Sequence, residues 1–251
     1  MDYKNNNLGL FEDLIGQELA KKFLTTALEK DKISSAYIFA GPDGVGKRLA
    51  TLRFIEGILN NGKTSQKVRV RLENYNHPDL LWIEPTYLNQ GKLIPQSKAN
   101  IEGLNTRTIP KIRLEQIREV GKFLSESPLE SSFGMVVIED AEHMAESAAN
   151  ALLKTLEEPE NGLLILLTSR PEKLILTINS RCQKIPFFRL NDIDFKAVIT
   201  KIEQKESDEI NSFQATINQE ELLILSNGSP GALIANSKIW SEIPEQLWPK
   251  I

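Results

Sequence analysis

The chain has 251 residues, 41% of them hydrophobic and 25% charged, with a formal net charge of −4 and a single cysteine. That balance belongs to a soluble globular protein of one large or two modest domains, and it excludes one that coats nucleic acid by bulk positive charge, though not a local basic face. Cys182 alone excludes a disulfide framework or a multi-cysteine zinc site; with no apolar run near ~20 residues and no signal-like N-terminus, a cytoplasmic protein is expected.

In chain order, residues 11–31 predict a lead-in segment and then an amphipathic helix, with Leu19, Phe23, Leu24 and Leu28 at helical spacing. AYIFA, residues 36–40, predicts a short buried parallel strand that runs straight into GPDGVGK. RLATLRFIEGILNNG predicts the next helix, stopped by Asn60, Asn61 and Gly62. Residues 62–110 are less regular: DLLWIEP (79–85) predicts a strand, and the stretch after it a surface excursion or hairpin. KIRLEQIREVGKFL returns to helix, with Leu114, Ile117, Val120 and Leu124 on one side. GMVVIEDAEHM (134–144) holds a buried strand ending in acids, and ESAANALLKTLEEP is a helix stopped at Pro159. GLLILLTS (162–169) is a further strong strand, and LILTINSRCQKIPF closes with a last short one. Strands alternating with helices predict an α/β fold with a parallel sheet covered on both faces. From about Leu190 the periodicity is helical throughout, so residues 1–189 are expected to form the α/β domain and residues 190–240 a small helical domain.

Strand, glycine loop and helix form the setting a phosphate-binding loop needs. Gly41, Gly44 and Gly46 allow close backbone approach, the amides of the loop through Val45 face phosphate oxygens, and Lys47 reaches the β- and γ-phosphates. The next position calls for a hydroxyl to hold magnesium, and Arg48 stands there instead. A guanidinium cannot ligate a cation, so the loop is expected to bind ATP or ADP weakly at most and to hydrolyse it poorly. Arg48 would either add charge for bound phosphate or fill an empty pocket. The acids at the end of the second buried strand, Glu139 and Asp140, belong beside the loop. Counting back from NALLKTLEEP puts Asp140 at the metal-side position and Ala141 where a water-orienting glutamate would sit; the other register makes Glu139 the metal-side acid.

FEDLIGQ, SSAYIFAGPDGVGK, NHPDL, VVIEDAEHM, AANALLKTLEEP, TSRPEKLILTINSRC and NGSPGAL, in this order, resemble the AAA+ clamp-loader subunits of bacterial DNA polymerase III, the delta-prime branch above the gamma or tau motor branch. The resemblance runs from residue 11 to about residue 240. It implies an AAA+ P-loop domain with a helical lid, working in a hetero-pentamer with gamma or tau and delta subunits that opens a sliding clamp and closes it on primed DNA. It implies a stator that hydrolyses ATP weakly or not at all and lends Arg181, in NSRC, as an arginine finger to a neighbouring subunit. A guanidinium suits that task because it stabilises charge on the transferring phosphoryl group. Thr168 falls at the sensor-1 position, although an ordinary strand-end threonine would look the same. Gly231 stands where the motor subunits carry a lid arginine.

The four-cysteine zinc module usual in such subunits has no cysteine in KTSQKVRVRLENYNHPDL, so no zinc is expected, and His77 and His143 read as ordinary turn residues. Cys182 reads as a small buried hydrophobe. A third, collar domain is expected to be represented only by the start of its first helix, in residues 241–251. Lys111, Arg113, Arg118 and Lys122 either contact DNA phosphates, as Arg48 could, or form a solvated helix face. Two other readings stay open: an active gamma-type ATPase, and a homo-oligomeric AAA+ remodeller or helicase.

Overall fold

In the computed structural model, the described residues are 9–99, 108–157, 162–205 and 224–242. The apolar run AYIFA forms β1 (Ala36–Ala40), buried along its whole length. It sits inside a five-stranded sheet with β2 (Leu80–Ile83), β5 (Gly134–Ile138), β6 (Gly162–Thr168) and β7 (Gln183–Pro186), in the order β2-β5-β6-β1-β7. Every pairing in this sheet is parallel, with Ala40 opposite Thr168 on one side and Pro186 on the other. The chain therefore runs from β1 out to the edge strand β2 and returns past it to β7, leaving the carboxyl end of β1 inside the sheet, on the side where open parallel sheets carry their ligands.

Alternation along β1 splits the core in two. Tyr37 and Phe39 face α1 (Glu18–Glu29), α2 (Lys47–Leu59) and α3 (Gln66–Glu73), with the Tyr37 and Phe54 rings edge to face at 5.4 Å. Ala36, Ile38 and Ala40 face α4 (Leu114–Ser125), α5 (Glu146–Glu157) and the one-turn helix α6 (Leu176–Asn179). The result is the three-layer α/β arrangement that the alternating pattern predicts. The excursion is a hairpin, β3 (Thr86–Asn89) with β4 (Lys92–Pro95), outside the main sheet. Gln116 ties its base to α4, accepting from Arg113 N–H at 3.0 Å and donating to Glu84 O at 2.9 Å.

Two local expectations are corrected. In α1 the residues turned inward are Ala20 and Leu24, whereas Leu19 and Phe23 are each 42% exposed. Residues 66–73, read as irregular, are the helix α3, capped by Ser65, whose hydroxyl accepts from Val68 N–H. Beyond Leu190 the described residues carry α7 (Asp192–Lys205) and α8 (Pro230–Glu242). The expected helix stop at Pro159 and the expected collar start beyond residue 242 lie outside the described residues. Among the described residues no helix is long and apolar enough to cross a membrane.

Candidate functional site

The glycine loop turns directly off the end of β1. Gly41 N–H donates to Thr168 O at 3.1 Å, and a Cβ on Gly41 would collide with the Phe187 carbonyl oxygen, so the loop nestles between β6 and the chain leaving β7. Gly44 and Gly46 have φ of 72° and 105°, left-handed values that suit glycine. Gly46 caps α2, and Val45 is buried, its carbonyl accepting from Gln17 Nε2 at 3.1 Å. A glycine turn between a strand end and a helix N-terminus is the setting of a phosphate loop.

Lys47 lies within that frame but bends back on it. Its Nζ donates to Gly41 O at 2.6 Å and Pro42 O at 2.7 Å, with Asp43 at 3.5 Å. Burial pushes its ammonium below the usual range, against the opposing pull of Asp43, Glu142 and Asp140. The loop residues fit a phosphate, with Lys47 exchanging two carbonyl oxygens for phosphate oxygens. The cation side does not fit. Arg48 leaves the loop and lies over two rings, its guanidinium carbon 5.1 Å from the Tyr75 centroid and 5.5 Å from that of Trp82. Glu139 closes this box, 3.8 Å from Arg48 through one carboxylate oxygen and accepting Trp82 Nε1–H at 2.9 Å through the other. Arg48 thus lies over two rings with its side chain half exposed, pointing away from the loop.

Asp140 follows Glu139 in a left-handed conformation, φ 49°. Burial first, then the neighbouring carboxylates Glu139, Glu142 and Asp43, raise its carboxyl to about 6, with Lys47 opposing. Asp140 therefore shares the electrostatic surroundings of Lys47, whereas Glu139 is committed to Arg48 and Trp82. The sequence reading missed Glu142, two residues on. Its buried side chain accepts the Ser169 hydroxyl at 2.6 Å and the Ser169 N–H at 3.1 Å, at the end of β6. Thr168 is fully buried beside it, and its Oγ1 accepts from Arg170 N–H at 3.1 Å. A third acid at this strand end, in EDAEHM, was the available signal.

The lid helix reaches the loop from above. Gly231 N–H donates to Gly44 O at 3.0 Å, and Ser229 Oγ to Asp43 O at 2.6 Å. A Cβ built on Gly231 would come within 2.5 Å of the Gly44 Cα, so the two glycines meet backbone to backbone.

Arg181 lies apart from this loop, just after α6. Its Nη2 donates to Glu157 Oε1 at 2.7 Å and its Nη1 to Thr177 O at 3.1 Å, with the side chain 35% exposed. Next to it, Cys182 is half-buried against the lower core, and burial lifts its thiol to about 11, where it stays protonated and inert. Arg118 and Lys122 are exposed on α4 among Glu115 and Glu119, Lys111 is exposed in the bridge to Thr86 before the helix, and Arg113, its N-cap, is half-buried. His77 is buried in the turn before β2, where its Nδ1 accepts the Asp79 N–H at 3.2 Å.

Residues 16–191 match the family described as DNA polymerase III, delta subunit. The DNA polymerase III subunit delta' of Bacillus subtilis is 34% identical over 68% of this chain and 47% of its own length. The subunit tau of the same organism is 30% identical over 89% of this chain and 36% of its own length. The chain thus spans less than half the length of these curated relatives. In fold it resembles the Thermotoga maritima RuvB Holliday junction branch migration motor, with a TM-score of 0.55, 16% identity, and coverage of 90% of this chain and 62% of that one. The fold is that of an AAA+ P-loop domain.

Proposed function

Since the chain belongs to the DNA polymerase III delta-subunit family, we propose that it is the delta-prime-type stator of a sliding-clamp loader in DNA replication. In this reading it joins gamma or tau and delta subunits in a hetero-pentamer that acts on the clamp and on primed DNA. Residues 1–189 are its P-loop domain and residues 190–240 its lid. Arg181 serves as an arginine finger for the ATP of the neighbouring subunit, and the chain's own loop holds ATP or ADP weakly, through Gly41, Gly44, Val45, Gly46 and Lys47, with Asp140 and Thr168 alongside.

The observation that carries the reading is a contrast between two cations. Lys47 is turned inward onto Gly41 O and Pro42 O, whereas Arg181 is partly exposed at the end of a short rigid helix. A loop whose lysine is occupied by its own backbone, whose neighbouring cation stacks on Tyr75 and Trp82, and whose lid presents a bare glycine has little with which to drive phosphoryl transfer. An arginine at the surface can supply charge to a phosphate outside the chain.

The test is reconstitution with motor subunits, measuring clamp- and DNA-stimulated ATP turnover. Arg181→Ala should slow the one site it serves on the order of a thousandfold, the low end of arginine-finger effects, while the isolated chain turns over no ATP. Wild-type turnover in the Arg181→Ala assembly would overturn the reading. A second reading, an active motor of the tau type, draws on the tau relative, which aligns over more of this chain than the delta' relative does. Magnesium-dependent turnover by the isolated chain, abolished by Lys47→Ala, would favour it.

A further inference from the structure

Arg181 has a partner that the finger reading does not account for. The backbone beneath it is well fixed. Asn179 Nδ2 donates to Leu174 O at 3.0 Å and Pro171 O at 3.2 Å, Ile178 is fully buried, and Arg181 N–H donates to Ile178 O at 3.1 Å. The side chain beyond it has four rotatable bonds, and a fixed backbone alone does not aim them. Two contacts do: Thr177 O on one terminal nitrogen and Glu157 Oε1 on the other. Glu157 is the last residue of α5, so the pair links the ends of two helices.

The form of this pair differs from that of two other arginine pairs among the described residues, and it is shared by the single contact of Arg69 with Glu56. Arg71 meets Glu130 through two parallel bonds of 2.7 and 2.9 Å, which engage both of its terminal nitrogens on one carboxylate. Arg53 is buried and donates to both Asp13 and Glu73. Arg181 gives Glu157 a single bond. Of the five N–H donors of a guanidinium, Nε–H and one hydrogen on each terminal nitrogen remain free of any partner among the described residues. A carboxylate meant to sequester the cation would take it two-pronged and out of water. One that touches a single corner, with both side chains partly exposed, fixes the plane of the fork and leaves its other donors available.

We propose that Glu157 is a positioning residue: it holds the Arg181 guanidinium in the orientation from which its remaining N–H groups meet a phosphate carried by the neighbouring subunit. The proposal rests on the finger reading of Arg181. Glu157 touches no phosphate itself; it reduces the orientational freedom the arginine must give up when the subunits close.

The experiment uses the full chain assembled with motor subunits, clamp and primed DNA, with ATP turnover followed for wild type, Arg181→Ala, Glu157→Gln and Glu157→Asp. Glu157→Gln should slow kcat at the one site Arg181 serves about fivefold, the scale of an exposed ion pair, with KM for ATP and the melting temperature unchanged. Glu157→Asp should recover most of the loss. If Arg181→Ala loses turnover while Glu157→Gln matches wild type, the positioning role is wrong and the finger stands. If Glu157→Gln turns over faster, the carboxylate restrains the arginine, and the proposal is overturned. Loss of turnover in proportion to lost assembly, read by gel filtration, would make Glu157 an interface residue and also overturn it. If Arg181→Ala behaves as wild type, the finger falls and this proposal with it.

Discussion

Asp140 is the residue whose surroundings work hardest against its charge. Its carboxyl, ordinarily at 3.8, is raised to about 6 by burial and by Glu139, Glu142 and Asp43. The folded state therefore holds this proton more tightly than the unfolded chain, so stability falls as pH rises from about 4 to about 6 and stays reduced above that. Asp140→Asn should raise the melting temperature at pH 7–8, and the gain should shrink on acidification and vanish near pH 4. Asparagine also tolerates the left-handed backbone found there. An Asp140→Asn variant no more stable than wild type at pH 8 would contradict this electrostatic account. At this scale the sequence was informative where chemistry is local. The glycine turn between β1 and α2 could be read because such a loop is a contiguous motif, and the acids because they end an apolar strand. The course of Arg48 could not be read, because Tyr75 and Trp82 reach it from α3's far end and from β2, and nothing in GKR announces two rings.

Among the elements, α3 went unread, and the way it is attached explains why. Only Leu72 of its eight residues is buried, so it has no apolar stripe to betray a period. Charge secures it instead. Glu56, fully buried on α2, accepts Arg69 Nε–H at 3.0 Å and Ser65 N–H at 2.8 Å, while buried Arg53 donates to Asp13 at 2.6 Å and Glu73 at 2.8 Å. Glu56→Ala removes the buried carboxylate between Arg53 and Arg69, leaving them only the more exposed Asp13 in common, and should cost about 3–5 kcal/mol in urea unfolding. Glu73→Ala, at the exposed rim, should cost about 1 kcal/mol or less. Equal effects of the two would show that the buried member is no anchor. The inner strands β1, β5 and β6, by contrast, were legible as apolar runs, because strands buried on both faces need no polar alternation. The stripe of α1 was drawn too wide: Leu19 and Phe23 lie on the outer side, whereas Ala20 and Leu24, with the partly buried Ala27 and Leu28, meet the core.

At the scale of the whole chain, Gln17 links parts that the sequence keeps far apart. Its amide donates to Val45 O at 3.1 Å in the loop and to Phe188 O at 2.6 Å, and it accepts from Phe188 N–H at 3.0 Å on the way to the lid. Gln17→Ala removes three partly or fully buried bonds and should cost about 2–4 kcal/mol. Amide exchange should then quicken both in the loop and around residues 187–190; quickening in only one of the two would mean the side chain does not couple them. Such long-range partners, like the order of the strands, follow from how the elements pack, which periodicity does not encode. So does the meeting of Gly231 with Gly44, which reads in sequence only as a missing arginine. Its consequence concerns any attempt to place an arginine on this helix. A side chain at 231 cannot simply be added, since its first carbon would already press on the opposite backbone. An arginine would arrive only with α8 drawn off the glycine loop and Ser229 off Asp43, so the spacing of two main chains, and not only the choice of side chain, sets what position 231 can carry.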